Sequence, residues 1–225
     1  MHTSAEPLFV AGHVQRYVIK SESNSMNLYK YRSLDGWKFI FDILLHKRLY
    51  AARYKDLNDP MEGYYTFASG KNVSSAYSEE ISSAKNEWRL CSLSSEYRST
   101  LMWSYYGGGH SGIAIGISKP RRKPNVRIER VRYDNTVSLS GDPNYSPSDA
   151  AIEILSQKLY SWHHEKEYRI FSRDEFIKVS IREVLLGCKI ANDDEALIRK
   201  FVEGLRPEIE IRKLRRSELI ADYGH

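Results

Sequence analysis

Leu90-Cys91-Ser92-Leu93-Ser94, Ser111-Gly112-Ile113-Ala114-Ile115-Gly116-Ile117 and Val126-Arg127-Ile128-Glu129-Arg130-Val131-Arg132-Tyr133 follow one another in the chain. Only a short helical turn, expected at residues 99–106, and the glycine loop Gly107-Gly108-Gly109 lie between the first two. Ile113, Ile115 and Ile117 alternate with small residues, the period-2 pattern of a strand packed closely on one face. Strand signals thus outnumber helices and do not alternate regularly with them. That argues for an α+β domain with a mixed or antiparallel sheet core flanked by helices, rather than a doubly wound parallel sheet.

Working outward, a strand is expected at residues 28–31, followed by a helix capped by Ser33 or Asp35. Its apolar residues Trp37, Ile40, Phe41, Leu44 and Leu45 form one stripe, and His46, Lys47 and Arg48 complement its C-terminal dipole. Residues 49–53 read as a strand leading into the turn Leu57-Asn58-Asp59-Pro60, and residues 75–88 as a helix with Tyr77, Ile81, Ala84 and Trp88 on one side. Residues 134–147 are rich in Asn, Asp, Ser, Gly and Pro and read as a surface loop. Ser146-Pro147-Ser148-Asp149 opens a third helix, expected to run to about Trp162. Strands at 167–172, 179–188 and 208–214, with a helix near 194–204, complete the chain. Residues 1–26 read as a variable lead-in with one strand at 14–19, and 27–225 as one domain. Within it, the strand–helix–strand unit of 178–225 is a sub-lobe on the same core.

At 225 residues, 41% hydrophobic and 28% charged, the composition is that of a globular domain. No stretch approaches the roughly 20 apolar residues of a membrane span, and the first twenty residues lack the basic region and apolar run of a signal peptide. A cytoplasmic location is therefore expected, with Cys91 and Cys188 as separate thiols. The net charge is +5. Basic runs at 119–123, 127–132 and 212–216 suit either a polyanionic partner or a solvated face. His163 and His164 are adjacent, and no His-x-x-x-His pair exists, so no zinc site is expected. There is also no Gly-x-Ser-x-Gly elbow.

Several clusters carry the chemistry. If Glu165, Glu167 and Arg169 share a strand they face one side, placing two carboxylates where a cation or ligand must answer them. Ser92 and Ser94 share a face by the same logic. Arg32 ends the first strand, where a planar guanidinium suits a phosphate. Trp103, Tyr105, Tyr106 and His110 flank the glycine loop and are expected to form a stacking wall, while the loop lets backbone approach a ligand; Tyr31, beside Arg32, is a further expected ligand contact. Asp56, Asp59, Glu62 and Glu165 offer a rival grouping, that of a metal-dependent nuclease or phosphoesterase. A third reading is a non-catalytic nucleotide- or nucleic-acid-binding module.

Five segments recur in order: Leu28-Tyr29-Lys30-Tyr31-Arg32-Ser33, Leu57-Asn58-Asp59-Pro60-Met61-Glu62, Cys91-Ser92-Leu93-Ser94, Met102-Trp103-Ser104-Tyr105-Tyr106-Gly107 and Glu165-Lys166-Glu167-Tyr168-Arg169. Together they resemble an uncharacterised bacterial domain-of-unknown-function family over residues 28–214. More distantly, an arginine, a Ser-x-Ser strand and a Glu-x-Glu strand in that order resemble ADP-ribosyltransferases of the R–S–E type, although Leu93 stands where those enzymes usually carry threonine. That resemblance implies a transferase-like fold with NAD as substrate. Glu167 would be the catalytic glutamate on the ribose, and Glu165 the group that orients or deprotonates the acceptor. Arg32 would hold NAD phosphate or ribose and Ser92 would support the nicotinamide pocket, with Ser94 and Arg169 as further cofactor-binding residues. It further implies a toxin or phage-defence effector with a protein or nucleic-acid acceptor and a neutralising partner protein.

Overall fold

The computed structural model describes residues 26–67, 74–118, 120, 125–139 and 145–220. The strand expected at 14–19 and, Pro120 apart, the basic run at 119–123 lie outside these residues. Strand β1 (Asn27–Arg32) leads through a 3-10 turn, Leu34–Gly36, into α1 (Trp37–His46), whose left-handed C-cap Lys47 releases the chain. Short strands follow: β2 (Arg48–Tyr50), β3 (Ala52–Arg53) and β4 (Thr66–Phe67). Helix α2 (Ser75–Glu87) starts where Ser74 accepts the Tyr77 N–H. Strand β5 (Arg89–Ser94), α3 (Thr100–Tyr105), β6 (Ile113–Ser118) and β7 (Val126–Arg130) form the middle of the chain. Then come β8 (Arg132–Asp134), β9 (Ser138–Leu139), α4 (Pro147–Ile154) and β10 (Gln157–Leu159). A 3-10 helix, Tyr160–Glu165, feeds β11 (Glu167–Ser172). The chain continues through β12 (Phe176–Lys178), β13 (Ile181–Leu186), α5 (Asn192–Leu205) and β14 (Glu210–Lys213).

The main sheet runs β14-β13-β6-β1-β5-β11-β7, with β3 also beside β5. Its neighbours are antiparallel except β13 and β14, which α5 joins as a parallel pair. The expected α+β architecture is present, and the 178–225 unit adds its strands to this same sheet.

Period-2 alternation covers both faces. Leu28, Cys91, Leu93, Ile113, Ile115 and Ile117 pack with α1 and α5 residues such as Ile40, Leu44, Ile198 and Val202. The residues between them, Tyr29, Tyr31 and Ala114, pack with Met102 and Trp103 of α3. A sheet buried on both faces keeps its strand positions fixed, which the site requires.

Two expected elements are interrupted. The helix from Pro147 ends at Ile154, not near Trp162, and β10 then pairs in parallel with β8, Lys158 opposite Tyr133. Tertiary pairing overrides the local helix preference there. The strand expected at 126–133 divides at Val131, whose N–H donates to Glu167 O at 2.9 Å, so β7 joins β11 while β8 turns to β10. Residues 49–53 likewise divide into β2 and β3, which pair with different strands.

The glycine loop serves packing. Gly107, Gly108 and Gly109 stand apart from the cleft described below. A Cβ on Gly112 would lie 2.2 Å from Arg32 O, and one on Gly108 3.0 Å from Ser33 Oγ. The loop closes against the end of β1 and so holds Arg32 in place. Gly112→Ala is therefore expected to lower unfolding free energy by about 3 kcal/mol. Gly204→Ala, in α5 with nothing within 4 Å, should instead raise it by up to about 1 kcal/mol. Urea denaturation of the two variants checks this pair of opposite signs. Among the described residues no helix is long and apolar enough to cross a membrane.

Candidate functional site

The sheet opens at its centre. Strands β1 and β5 pair only at Tyr29 and Ser94 and then part, and β3 takes up β5 at Leu90 and Arg89. Lys30 Nζ spans the gap by donating to Ser92 O at 2.9 Å, a carbonyl that β1 does not pair. The opening is a cleft of about 410 Å3. Lys30, Arg32 and Ser33 stand on one side and Ser92 and Ser94 on the other. Glu165, Glu167, Lys158 and Glu62 lie along it, and Tyr105, Tyr106 and Trp162 provide aromatic surface.

Arg32, Tyr31, Ser92, Ser94, Tyr105, Tyr106, Glu165 and Glu167, drawn from separate parts of the sequence, thus line one cavity. Arg32 is half-buried, its guanidinium 5.6 Å from the Phe39 ring centroid, and its Nε has no hydrogen-bond partner among the described residues. Burial lowers the pKa of both Arg32 and Lys30, but a guanidinium titrates so high that Arg32 stays charged. The Tyr31 hydroxyl is occupied, donating to Glu96 O at 2.7 Å. Ser94 is buried, donating to Glu165 O at 2.7 Å and accepting the Glu96 N–H at 3.0 Å, so it shapes the wall.

Three expected site residues lie elsewhere. Trp103 has 0% exposure; its indole N–H donates to Tyr97 O at 2.7 Å and its ring meets Tyr31 edge-on. It is a core residue because α3 lays that face on the sheet. His110 packs behind the glycine loop against Ser104, 3.2 Å away. Arg169, also at 0% exposure, is enclosed by protein groups below the cleft and offers no face to a ligand. Trp162, Lys30 and Lys158 line the cleft although the sequence reading did not assign them there.

Arg169 anchors an ion cluster. It donates to both Glu62 oxygens at 2.8 and 2.5 Å, to Glu167 Oε1 at 2.8 Å and to Leu155 O at 2.6 Å. This ties the turn carrying Asp56, Asn58 and Asp59, which line the cleft, to β11. Glu62 thereby spends both oxygens on a guanidinium, and among the described residues no three carboxylate, His or Cys side chains are arranged to hold a metal. The grouping of Asp56, Asp59, Glu62 and Glu165 is not assembled as a set of ligands.

Glu165 and Glu167 reach the cleft from different elements. Glu165 ends the 3-10 helix, Lys166 takes the left-handed conformation (φ 43°), and Glu167 begins β11. The pair therefore converges through a bend and not through strand alternation. Glu165 accepts from Tyr106 Oη and Lys158 Nζ, each at 2.6 Å. Burial is the largest influence on Glu165 and, with Glu167 nearby, holds its pKa above the usual carboxylate range despite Lys158. At Glu167 burial alone would do the same, but Arg169, Lys158 and the Ser92 hydroxyl outweigh it and bring the pKa down to about 2. Two neighbouring carboxylates with pKa values pushed apart are suited to different chemical roles.

Within the basic runs at 127–132 and 212–216, Arg127 pairs with Asp149, Arg132 with Glu153, Arg212 with Glu218, and Lys213 with Glu195. No family model, no curated protein and no solved structure matches this chain.

Proposed function

We propose that the cleft takes NAD as substrate and catalyses ADP-ribosyl transfer. The observation that carries this reading is the shared cavity: Arg32, Ser92 and Glu167, from β1, β5 and β11, line one cleft of about 410 Å3, a size usual for small-molecule sites. The R–S–E resemblance rests on those same three residues.

The chemistry follows from the charges. Arg32, with an unpartnered buried Nε, and Lys30 supply cations for a pyrophosphate. Tyr105, Tyr106 and Trp162 supply aromatic surface for a ring. In the reaction the bond between ribose C1′ and the nicotinamide nitrogen breaks, and its electron pair leaves with the nicotinamide. The sugar is left as an oxocarbenium-like cation, as in glycoside chemistry. Glu167, ionised throughout the neutral range, is the fixed anion beside that cation. An acceptor hydroxyl or amine, on a protein or a nucleic acid, then attacks C1′ and gives its proton to Glu165, whose higher proton affinity suits a base.

The test is nicotinamide release from NAD by purified protein, followed by chromatography, with water or added acceptors as nucleophile. Release is expected without divalent metal and in the presence of a chelator. Arg32→Ala should raise the NAD concentration needed for half-maximal rate by at least about tenfold, the loss of roughly one charge-assisted contact. Wild-type protein that never releases nicotinamide, whatever the acceptor, would defeat the reading.

A further inference from the structure

Lys158 lies in a segment whose local pattern reads as helix, yet it stands at the centre of the site. Parallel pairing of β10 with β8 carries its side chain beneath the cleft, where 9% of it is exposed. Its Nζ lies 2.6 Å from Glu165 Oε2, 3.3 Å from Glu167 Oε2 and 3.9 Å from Glu62 Oε1. It also sits 4.8 Å from the Trp162 ring centroid.

The cluster is unevenly served. Arg169 spreads its guanidinium over Glu62 and Glu167. Among the described residues, Lys158 is the only cation paired with Glu165. Three carboxylates against two cations leave one negative charge in excess when all are ionised. An unbalanced buried charge is relieved most readily by binding a proton. The titratable groups around Glu165 are Lys158 from β10, Tyr106 after α3, Glu167 and Arg169 from β11, Tyr133 from β8 and Glu62 from the turn. Of these, Lys158 is the cation that touches both Glu165 and Glu167.

We propose that Lys158 is a positioning residue: shared between Glu165 and Glu167, it keeps Glu167 a standing anion and Glu165 the acceptor of the nucleophile's proton. An ammonium suits this because it is a compact charge with three donors that can serve two carboxylates at once. Without it Glu165 loses its cation and the excess negative charge doubles, so Glu165 holds its proton to higher pH and is blocked as a base. The assignment rests on the ADP-ribosyl-transfer reading of the cleft, although the charge sharing itself does not.

The experiment compares wild type, Lys158→Met and Lys158→Arg by two readouts: the pH profile of nicotinamide release and an infrared titration of the protonated-carboxyl stretch, with Glu165→Gln used to assign the band. In wild type the Glu165 band is expected to persist above the pH at which Glu167 has ionised. In Lys158→Met the rise of kcat with pH and the loss of that band should both move up by at least about one pH unit, a tenfold change in proton affinity. KM for NAD should stay within about threefold, because the pyrophosphate contacts are untouched, and Lys158→Arg should recover most of the shift. A uniform loss of kcat at every pH with an unmoved band would overturn the proposal. So would a wild-type titration in which Glu165 and Glu167 ionise together, which decides the matter even if Lys158→Met fails to fold. Absence of nicotinamide release from wild type would remove the transferase reading while leaving the infrared titration to judge Lys158.

Discussion

Glu167→Gln is expected to lower kcat for nicotinamide release by about a thousandfold, equivalent to losing roughly 4 kcal/mol of transition-state stabilisation. Glutamine matches glutamate in size but carries no charge, so it cannot steady a sugar cation. The effect should fall on kcat, with KM for NAD changing little, because Lys30 and Arg32 stand on β1, with β5 between them and β11. The substitution also removes one of the two carboxylates that Arg169 binds, so some loss of stability accompanies it. Circular dichroism and isothermal calorimetry with NAD separate the two consequences. A folded Glu167→Gln protein with undiminished turnover would exclude Glu167 from the chemistry.

Arg169→Met is expected to be the most destabilising single change in the site. The arginine has 0% exposure and holds Glu62 and Glu167, themselves almost fully buried. Methionine would leave both carboxylates without their guanidinium, and breaking a buried ion pair in this way costs about 3–5 kcal/mol. Domains of this kind are stable by only about 5–15 kcal/mol in total, so the loss is roughly a third to a half of a mid-range stability and should lower the urea midpoint clearly. Adding Glu62→Gln should recover part of the loss by removing one uncompensated charge, and urea midpoints of the two singles and the double measure that coupling. A midpoint within experimental error of wild type in Arg169→Met would show that the cluster contributes no net stability.

The same cluster predicts a pH dependence with two limbs. Glu167 is held at about 2 against an ordinary value of 4.5. Between those values the unfolded chain binds more protons than the fold, so stability should decline as pH falls through that window. Glu165 is shifted upward, so from 4.5 to its raised value the fold binds more protons and stability should decline as pH rises. Each limb has a maximum slope of about 1.4 kcal/mol per pH unit for one proton.

Much of the fold was legible from local pattern. The stripe from Trp37 to Leu45 gave α1, and the alternation of isoleucines gave β6. Hydroxyl caps at Ser33 and Ser146 were readable because such a cap acts within three residues of itself. The Ser-x-Ser strand and Arg32 were also visible, although the sequence could not show that β1 and β5 part between them. Trp103 was misplaced because a helix-borne aromatic has the same local signature whether it faces a ligand or a core, and His110 because the loop after α3 turns it back onto Ser104.

Lys158 shows where local reading ends. Its neighbours have no strand alternation, and its role exists only because β8 lies alongside and three carboxylates arrive from elsewhere. Arg169 and Glu62 are 107 residues apart in the chain. By itself the sequence determined the strongly periodic segments, such as α1 and β6, and which residue types carry charge, since both depend on neighbours a few positions away. Tertiary structure alone decided where the sheet opens and how two adjacent glutamates become unequal, because desolvation and Coulomb attraction depend on distance through space.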